Sequence, residues 1–325
     1  MGMDMSDTFM LEHGLRGTLR RSEPMARHLS WRAGGAARIF YQPADVDDLR
    51  AFLRAFRPPQ PVLFVGLGSN LLVRDGGFDG AVILSHHALT GIAVEPGGGG
   101  FASADAGPRV FAGAGVPAPH LARFAAKHGG GGAEWLAGVP GTVGGALAMN
   151  AGCYGGETWN HVVSVDTVDR HGDVHRRWKP EFDVGYRHVA LRSGEDEWFV
   201  GGVFAFERGE TARAMGRMRD LLATRVATQP LGQPNAGSVF RNPAGDHAAR
   251  LIESCGLKGF RVGGAQVSIK HANFIVNTGS ARAADIEAVI AHIEATVREK
   301  TGIRLVREVR IVGEAAGDAR PGERK

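Results

Sequence analysis

The chain has 325 residues, 43% of them hydrophobic and 22% charged, with a formal net charge of +4. This is the composition of a globular protein with room for two or three domains, and its basic residues are interleaved with Asp and Glu rather than gathered into a stripe, which argues against nucleic acid as a partner. Only two cysteines, Cys153 and Cys255, are present, too few for a disulfide framework and without zinc spacing. No apolar run approaches the roughly 20 residues that cross a bilayer. The N-terminus lacks the apolar segment of a signal peptide, so the expectation is a soluble cytoplasmic protein with no membrane partner. The outlier is glycine, with 48 residues.

Residues 1–24 are polar, Met-rich and aperiodic, and read as a mobile tail. Residues 37–41 read as a short strand. Over 45–56, Val46, Leu49, Phe52, Leu53 and Phe56 share one helical face, and Pro58-Pro59 stops the helix. A buried strand follows at 62–65, and the order strand, helix, strand suggests a parallel unit. It delivers the chain into Gly66-Leu67-Gly68-Ser69-Asn70-Leu71-Leu72-Val73-Arg74-Asp75, at the end of a strand, the usual place for a phosphate-binding turn. With positive φ open to Gly66 and Gly68, the amides of Ser69 and Asn70 would face one concavity able to hold a diphosphate. Leu71 stands where a Rossmann fingerprint would have its third glycine. Gly113-Ala114-Gly115-Val116-Pro117-Ala118 does match G-x-G-x-x-A, but Pro117 crowds the turn and no dinucleotide site is expected there. The glycine runs 97–100 and 129–132 read as a loose hairpin tip and a helix-ending turn. Short apolar runs at 81–84, 109–112, 162–168 and 199–206 alternate with Gly and Asp turns around one helix at 119–128, an α+β half rich in strands.

Within that half lies Gly138-Val139-Pro140-Gly141-Thr142-Val143-Gly144-Gly145-Ala146-Leu147-Ala148-Met149-Asn150-Ala151-Gly152-Cys153-Tyr154-Gly155. Six of its eighteen residues are glycine and none is charged, so it reads as a lining whose backbone amides come against something flat and large. Glycine richness alone also describes a buried turn. A linking helix at 211–225 follows, with Met215, Met218, Leu221 and Leu222 on one face and a domain boundary near 211. In the last third, two prolines and a Gly-Ser turn in 229–243 set the Ser238 hydroxyl at the mouth of a strand. A short helix at 248–255, a strand at 272–277 and a helix with Ile286, Val289, Ile290, Ile293 and Val297 on one side come next. The final strand, 303–312, alternates Ile303, Leu305, Val309 and Ile311 against Arg304, Val306, Glu308 and Arg310. By spacing alone Glu308 is a member of an ion-pair ladder, Ser238 a turn residue and Arg187 an exposed salt-bridging residue. There is no metal cluster, no CxxC pair, no G-x-S-x-G elbow and no Walker loop.

The strings at 66–75 and 138–155, Asn235-Ala236-Gly237-Ser238-Val239-Phe240-Arg241-Asn242-Pro243, and 251–277 with Gly256-Leu257-Lys258-Gly259 and Lys270-His271-Ala272-Asn273-Phe274, resemble in content and order the UDP-N-acetylenolpyruvoylglucosamine reductase (MurB) family. The resemblance runs from His28-Leu29-Ser30-Trp31-Arg32-Ala33-Gly34-Gly35 to Arg307-Glu308-Val309. It implies an α+β flavoprotein: an FAD-binding domain of the vanillyl-alcohol-oxidase (PCMH) type in two subdomains over 25–211, a smaller α+β substrate domain over 212–313, and tails at 1–24 and 314–325. The activity it implies is NADPH-dependent, FAD-mediated reduction of UDP-N-acetyl-3-O-(1-carboxyvinyl)-glucosamine to UDP-N-acetylmuramate in peptidoglycan precursor synthesis, by a monomer with a UDP-sugar as partner.

Residue by residue, the resemblance makes Ser238 the proton donor, Arg187 the stabiliser of the enolate and Glu308 the third catalytic group. It assigns the cofactor to Gly66, Gly68, Ser69, Asn70, Pro140, Gly141, Thr142 and Gly145, and the substrate to Tyr186, Asn242, Lys258, His271 and Asn273, with no metal. Two departures stand out. Between Arg187 and Gln229 there is no tyrosine and no room for the tyrosine-bearing loop of some members, which points to the shorter subtype. Thr228 stands where many relatives carry lysine, with Arg225 close by in sequence to supply the charge. The alternatives are an FAD-linked sugar or aldehyde oxidase of the same superfold and a flavin- or nucleotide-binding module without activity.

Overall fold

The computed structural model describes residues 5–56, 59–96 and 106–317. Pro58, the glycine run at 97–100 and residues 318–325 of the expected C-terminal tail lie outside the described residues. The expected N-terminal tail is corrected: Met5–Glu12 is helical and Thr18–Pro24 is a strand. That strand buries only Glu23, so its polar composition mimics a tail. The chain before it is pinned by Arg16, whose amide donates to Asp48 Oδ1 at 2.7 Å and whose guanidinium donates to Asp45 at 2.6 Å.

Thr18–Pro24 opens a four-stranded sheet in the order Thr18–Pro24, Ala36–Gln42, Phe78–Leu84, Val62–Val65. The expected neighbours Ala36–Gln42 and Val62–Val65 are thus separated by Phe78–Leu84. Between them in sequence, Asp45 opens the helix Val46–Ala55 by accepting from the Asp48 amide at 2.9 Å, and Leu49, Phe52 and Leu53 are buried on one face. A larger sheet runs Val174–Trp178, Val162–Asp169, Glu197–Arg208, Ala106–Gly113, Ile92–Val94, with Gly130–Gly131 also paired to Glu197–Arg208, and its pairings are antiparallel. Val110, Ala112, Val165, Phe204 and Phe206 of this sheet share a core with Leu121, Ala125, Leu147 and Met218 from three helices, Ala118–Lys127, Val143–Met149 and Thr211–Thr228.

The chain divides into two compact units, neither of them a continuous segment. One joins the chain up to Arg20, Tyr41–Gly66 and Val82–Arg225; the other joins Arg21–Phe40, Leu67–Ala81 and the chain from Val226. The expected boundary near 211 is instead the first turn of the helix Thr211–Thr228, and the division falls at Arg225. Specific bonds give residues 21–40 and 67–81 to the C-terminal unit. Leu71–Val73 pairs in parallel with Arg310–Val312, and the Asp75 carboxylate accepts from the amides of Ala283 and Ala284, both at 2.9 Å, at the start of the helix Ala283–Thr301. Trp31 Nε1 donates to Ile275 O at 2.7 Å, and Asn277 Nδ2 donates back to Trp31 O at 2.9 Å. The core of this unit holds Trp31, Leu72, Val239, Phe240 and Ile275 with Ile286, Val289, Ile290, Ile293 and Val297 of the long helix, which Gly302 ends at φ 73. The final strand is shorter than its alternation suggests, Arg310–Val312, because residues 306–308 bond to the segment after Ser238 instead.

Candidate active site

Residues 138–155 are not one loop. Thr142 turns the chain into the helix Val143–Met149 with Oγ1 accepting from the Gly145 amide at 3.4 Å, and Asn150 ends it in the left-handed region at φ 41. The amides of Val143 and Gly144 are spent on Val116 O at 2.8 Å and Ala114 O at 2.9 Å. Among the described residues, those of Gly141 and Thr142 have no protein acceptor; Gly141 is half-buried and Thr142 buried, and a buried amide in that state calls for a ligand or water. Pro140 and Gly145 are exposed. A Cβ on Gly66 would collide with Thr142 Oγ1, so only glycine lets these two expected cofactor residues approach each other.

Gly68 takes φ 58, and a Cβ there would strike His28 O. The amides of Gly68, Ser69 and Asn70 likewise donate to no acceptor among the described residues, which is the donor set of an anion-binding nest. The Asn70 side chain points elsewhere: its Nδ2 donates to Glu308 O at 3.1 Å, and Arg310 N donates to Asn70 O at 3.0 Å.

Arg187 lies in the two-residue turn between the paired strands Phe182–Gly185 and His188–Leu191. Its φ of 54 is a conformation that glycine or asparagine normally takes, and it is sustained by the guanidinium itself. Nη1 donates to Asn150 O at 3.3 Å and Nη2 to Gly152 O at 2.6 Å, while the group stands 5.0 Å above the exposed Tyr186 ring. Asn150 completes the anchorage through Nδ2, which donates to Gly185 O at 3.1 Å. Arg187 is therefore brought to the end of the glycine-rich stretch. Cys153, in the same stretch, donates Sγ–H to Trp135 O at 3.0 Å. Burial pushes its thiol up to about 11, with Arg225 and Arg187 pulling the other way, so it is no thiolate at neutral pH.

In the C-terminal unit, Ser238 follows Gly237 at φ 73 and precedes Val239 and Phe240, which are fully buried. Glu308 N donates to Val239 O at 2.8 Å, and Phe240 is bridged antiparallel to Arg307. Ser238 and Glu308, 70 positions apart in sequence, are thus adjacent across one backbone pair. Arg307, next to Glu308 in the chain, pairs with Glu294 at 2.6 Å.

The expected substrate contacts divide. His271 keeps Nδ1 buried without a hydrogen-bond partner, and burial, then Lys258, pulls its imidazolium below the usual histidine value. Lys258 is ion-paired with Glu253 at 2.7 Å. Asn242 is exposed and its Oδ1 accepts from Ala248 N at 3.1 Å, at the start of the helix Ala248–Ser254. Asn273 is only 4% exposed and both ends of its amide are bonded to the backbone of Phe240. That side chain is committed inside the fold rather than toward a substrate.

Residues 37–177 match the family of the FAD binding domain, and residues 229–312 match the family described as UDP-N-acetylenolpyruvoylglucosamine reductase, C-terminal domain. The chain is 57% identical over 303 residues to the UDP-N-acetylenolpyruvoylglucosamine reductase of Thiobacillus denitrificans, an alignment covering 92% of this chain and 94% of that protein. The chain belongs to the UDP-N-acetylenolpyruvoylglucosamine reductase family. It is 53% identical over 336 residues to the reductase of Nitrosospira multiformis, with 97% and 94% covered. The crystal structure of UDP-N-acetylenolpyruvylglucosamine reductase (MurB) from Thermus caldophilus is similar with a TM-score of 0.72 at 29% identity, over 91% of this chain and 99% of that one. As a member of this reductase family the chain is an α+β flavoprotein with FAD as cofactor. The acceptorless amides of Gly141 and Thr142, and separately those of Gly68 to Asn70, fit FAD, whose diphosphate and ring carbonyls are acceptors.

Reading by motif missed Asn150 and the inward use of Asn70 and Asn273. A signal existed for two of them. Asn150 follows a helical run and precedes Ala-Gly, as a left-handed helix end does, and Asn273 stands between the apolar residues Ala272 and Phe274. Among the described residues no group of His, Cys, Asp and Glu could hold a metal ion, and no helix is long and apolar enough to cross a membrane.

Proposed function

We propose that this reductase of a UDP-linked enolpyruvyl sugar delivers its proton from Ser238 and opposes the developing negative charge with Arg187, assisted by Glu308 in a neutral or hydrogen-bonded form. The product is UDP-N-acetylmuramate, a peptidoglycan precursor, with NADPH as the reductant. The chemistry that bound FAD would supply is hydride for C3 of the enolpyruvyl group. Electron density then gathers at C2 and the adjoining carboxylate. The Arg187 guanidinium, fixed by two carbonyls, is preorganised to oppose it rather than having to turn toward it. Ser238 gives its hydroxyl proton to C2, and a serine hydroxyl, being a weak acid, depends on a site that excludes water. A protonated Glu308, whose backbone is hydrogen-bonded to the segment that carries Ser238, assists in this reading.

The observation that supports this reading most is the bonded series Asn70 Nδ2 to Glu308 O and Glu308 N to Val239 O, which links a residue of the first glycine loop, the acid and the serine's own strand within one unit. An anaerobic experiment tests it. The protein is reduced with NADPH, the enolpyruvyl nucleotide is added, and visible flavin absorbance is followed. Reoxidation without oxygen in the native protein, lost in Ser238→Ala, is expected; reoxidation by oxygen alone would make the chain an oxidase, and undiminished turnover in Ser238→Ala would remove the serine from its role. The same reading has a monomer acting in the cytoplasm, checked by light scattering and cell fractionation.

A further inference from the structure

We infer that Asn273 is a positioning residue for Ser238: its side-chain amide stands in for a missing β-strand beside Phe240, two residues beyond the serine, while its backbone carbonyl holds the Ser238–Val239 peptide. The inference rests on the reading of Ser238 as proton donor.

Val239 and Phe240 need their backbone groups satisfied on two sides, since both are buried. On one side the chain at 306–309 serves: Glu308 N and Val309 N donate to Val239 O at 2.8 and 3.3 Å, and Arg241 N donates to Val306 O at 2.8 Å. On the other side no strand among the described residues runs alongside. One residue takes its place. Val239 N donates to Asn273 O at 2.9 Å, Phe240 N donates to Asn273 Oδ1 at 3.0 Å, and Asn273 Nδ2 donates to Phe240 O at 2.8 Å. A primary amide offers one acceptor and one donor at the spacing of a peptide group, so Asn273 pairs with both polar groups of Phe240 as a strand residue would. Its burial, 4% exposed, keeps water from competing for these bonds.

The consequence reaches Ser238 through one peptide bond. The Ser238–Val239 peptide has its N–H on Asn273 O, and Val239 has its carbonyl on Glu308 and Val309. Before the serine, Gly237 is fixed by its own amide, which donates to Asn235 Oδ1 at 2.9 Å. The Cα of Ser238 is held from both sides, and the Oγ inherits that position. Loss of the Asn273 amide releases the Phe240 side of the clamp and lets the serine drift by the fraction of an ångström to which proton transfer is sensitive.

The test uses the holoenzyme and the variants Asn273→Asp, Ser238→Ala and their combination. Asn273→Asp keeps shape and the acceptor but loses the donor to Phe240 O until its carboxyl is protonated. Expected at neutral pH are an unchanged rate of flavin reduction by NADPH, a substrate KM within about twofold of the native value, and reoxidation by the enolpyruvyl nucleotide slowed about 10–100-fold. Reoxidation in Asn273→Asp recovers as pH falls, where the native protein shows no such gain, and hydrogen exchange of the Val239 and Phe240 amides is accelerated. The double variant is no slower than Ser238→Ala.

A raised KM with unchanged turnover would make Asn273 a substrate contact, and an additive double variant would mean that it does not act through the serine. Either result overturns the inference. Full turnover in Ser238→Ala would sink the proton-donor reading and the inference with it, whereas an inactive Ser238→Ala beside an Asn273→Asp active at every pH sinks the inference alone. If Asn273→Asp does not fold with its flavin, Asn273→Ala, which keeps the backbone bond to Val239 and admits water, is measured for the same split between flavin reduction and reoxidation.

Discussion

Arg187 sits in a two-residue turn at φ 54 and grips the carbonyls of Asn150 and Gly152 with its own guanidinium, whereas Ser238 precedes a buried segment whose backbone is paired on one side with 306–309 and on the other with Asn273. A long side chain with five donors can anchor itself and still bear charge toward a ligand. A serine cannot; its single short arm has to be placed by its neighbours. Substituting the arginine therefore removes chemistry and scaffold together, while substituting the serine removes chemistry alone.

The largest effect expected is from Ser238→Ala, which should lower turnover by about a thousandfold, the middle of what a general acid contributes. Its thermal midpoint should match the native protein's, and a clear drop would break the comparison by showing that the hydroxyl also holds the fold. Arg187→Lys comes next. It retains the charge and the left-handed backbone but gives up the fork that reaches two carbonyls, so turnover should fall about a hundredfold and stability by about 1–2 kcal/mol, read together from kinetics and denaturant unfolding. Loss of activity without loss of stability would mean that the turn does not depend on the guanidinium.

Gly66→Ala sharpens the comparison from the side of the glycine loops. Its Cβ would meet the buried Thr142 Oγ1, which caps the helix Val143–Met149, and a cost of about 1–3 kcal/mol with weakened FAD retention is expected, measured by unfolding and by the flavin content of purified protein. An alanine variant that is as stable and as yellow as the native protein would show that the two loops tolerate separation.

The smallest effect concerns pH. Burial holds the imidazolium of His161 below the usual histidine value, with Glu207 and Glu134 pulling the other way, and Trp135 Nε1 donates to His161 Nε2 at 3.4 Å, the nitrogen that would be protonated. The folded state is then the poorer proton binder. Above about pH 6.5 both states are neutral and nothing is gained or lost; below it the unfolded chain takes up the proton first, and stability falls until the lowered folded value is passed. His161→Gln should flatten that acid limb of the unfolding curve, and an unchanged limb would assign the acid sensitivity elsewhere.

Periodicity was a good guide wherever one face of an element meets the core. Leu49, Phe52 and Leu53 of the early helix and Ile286, Val289, Ile290, Ile293 and Val297 of the late one are buried as their spacing requires. It failed at Thr18–Pro24, because a strand that buries a single residue carries no alternation to read. The candidate site was read as strings: the Gly66 loop, Tyr186-Arg187 and Ala236-Gly237-Ser238 stand where the chain turns, whereas the Gly138 stretch is in part the helix Val143–Met149. What the strings did not show was the use of three asparagines. Asn70, Asn150 and Asn273 carry the same amide, and whether it meets a ligand or a backbone carbonyl depends on what lies opposite.

The order of residues by itself determined the family, the helices with their buried faces and the glycines that permit close approach, because each of these rests on local chemistry. Tertiary structure alone decided that residues 21–40 and 67–81 join the C-terminal unit, that Glu308 lies one backbone pair from Ser238, and that Asn273 faces Phe240 rather than a substrate. Those are pairings between groups tens to hundreds of residues apart, and a hydrogen bond has no preference for sequence distance. It forms where folding leaves a buried donor and a buried acceptor face to face.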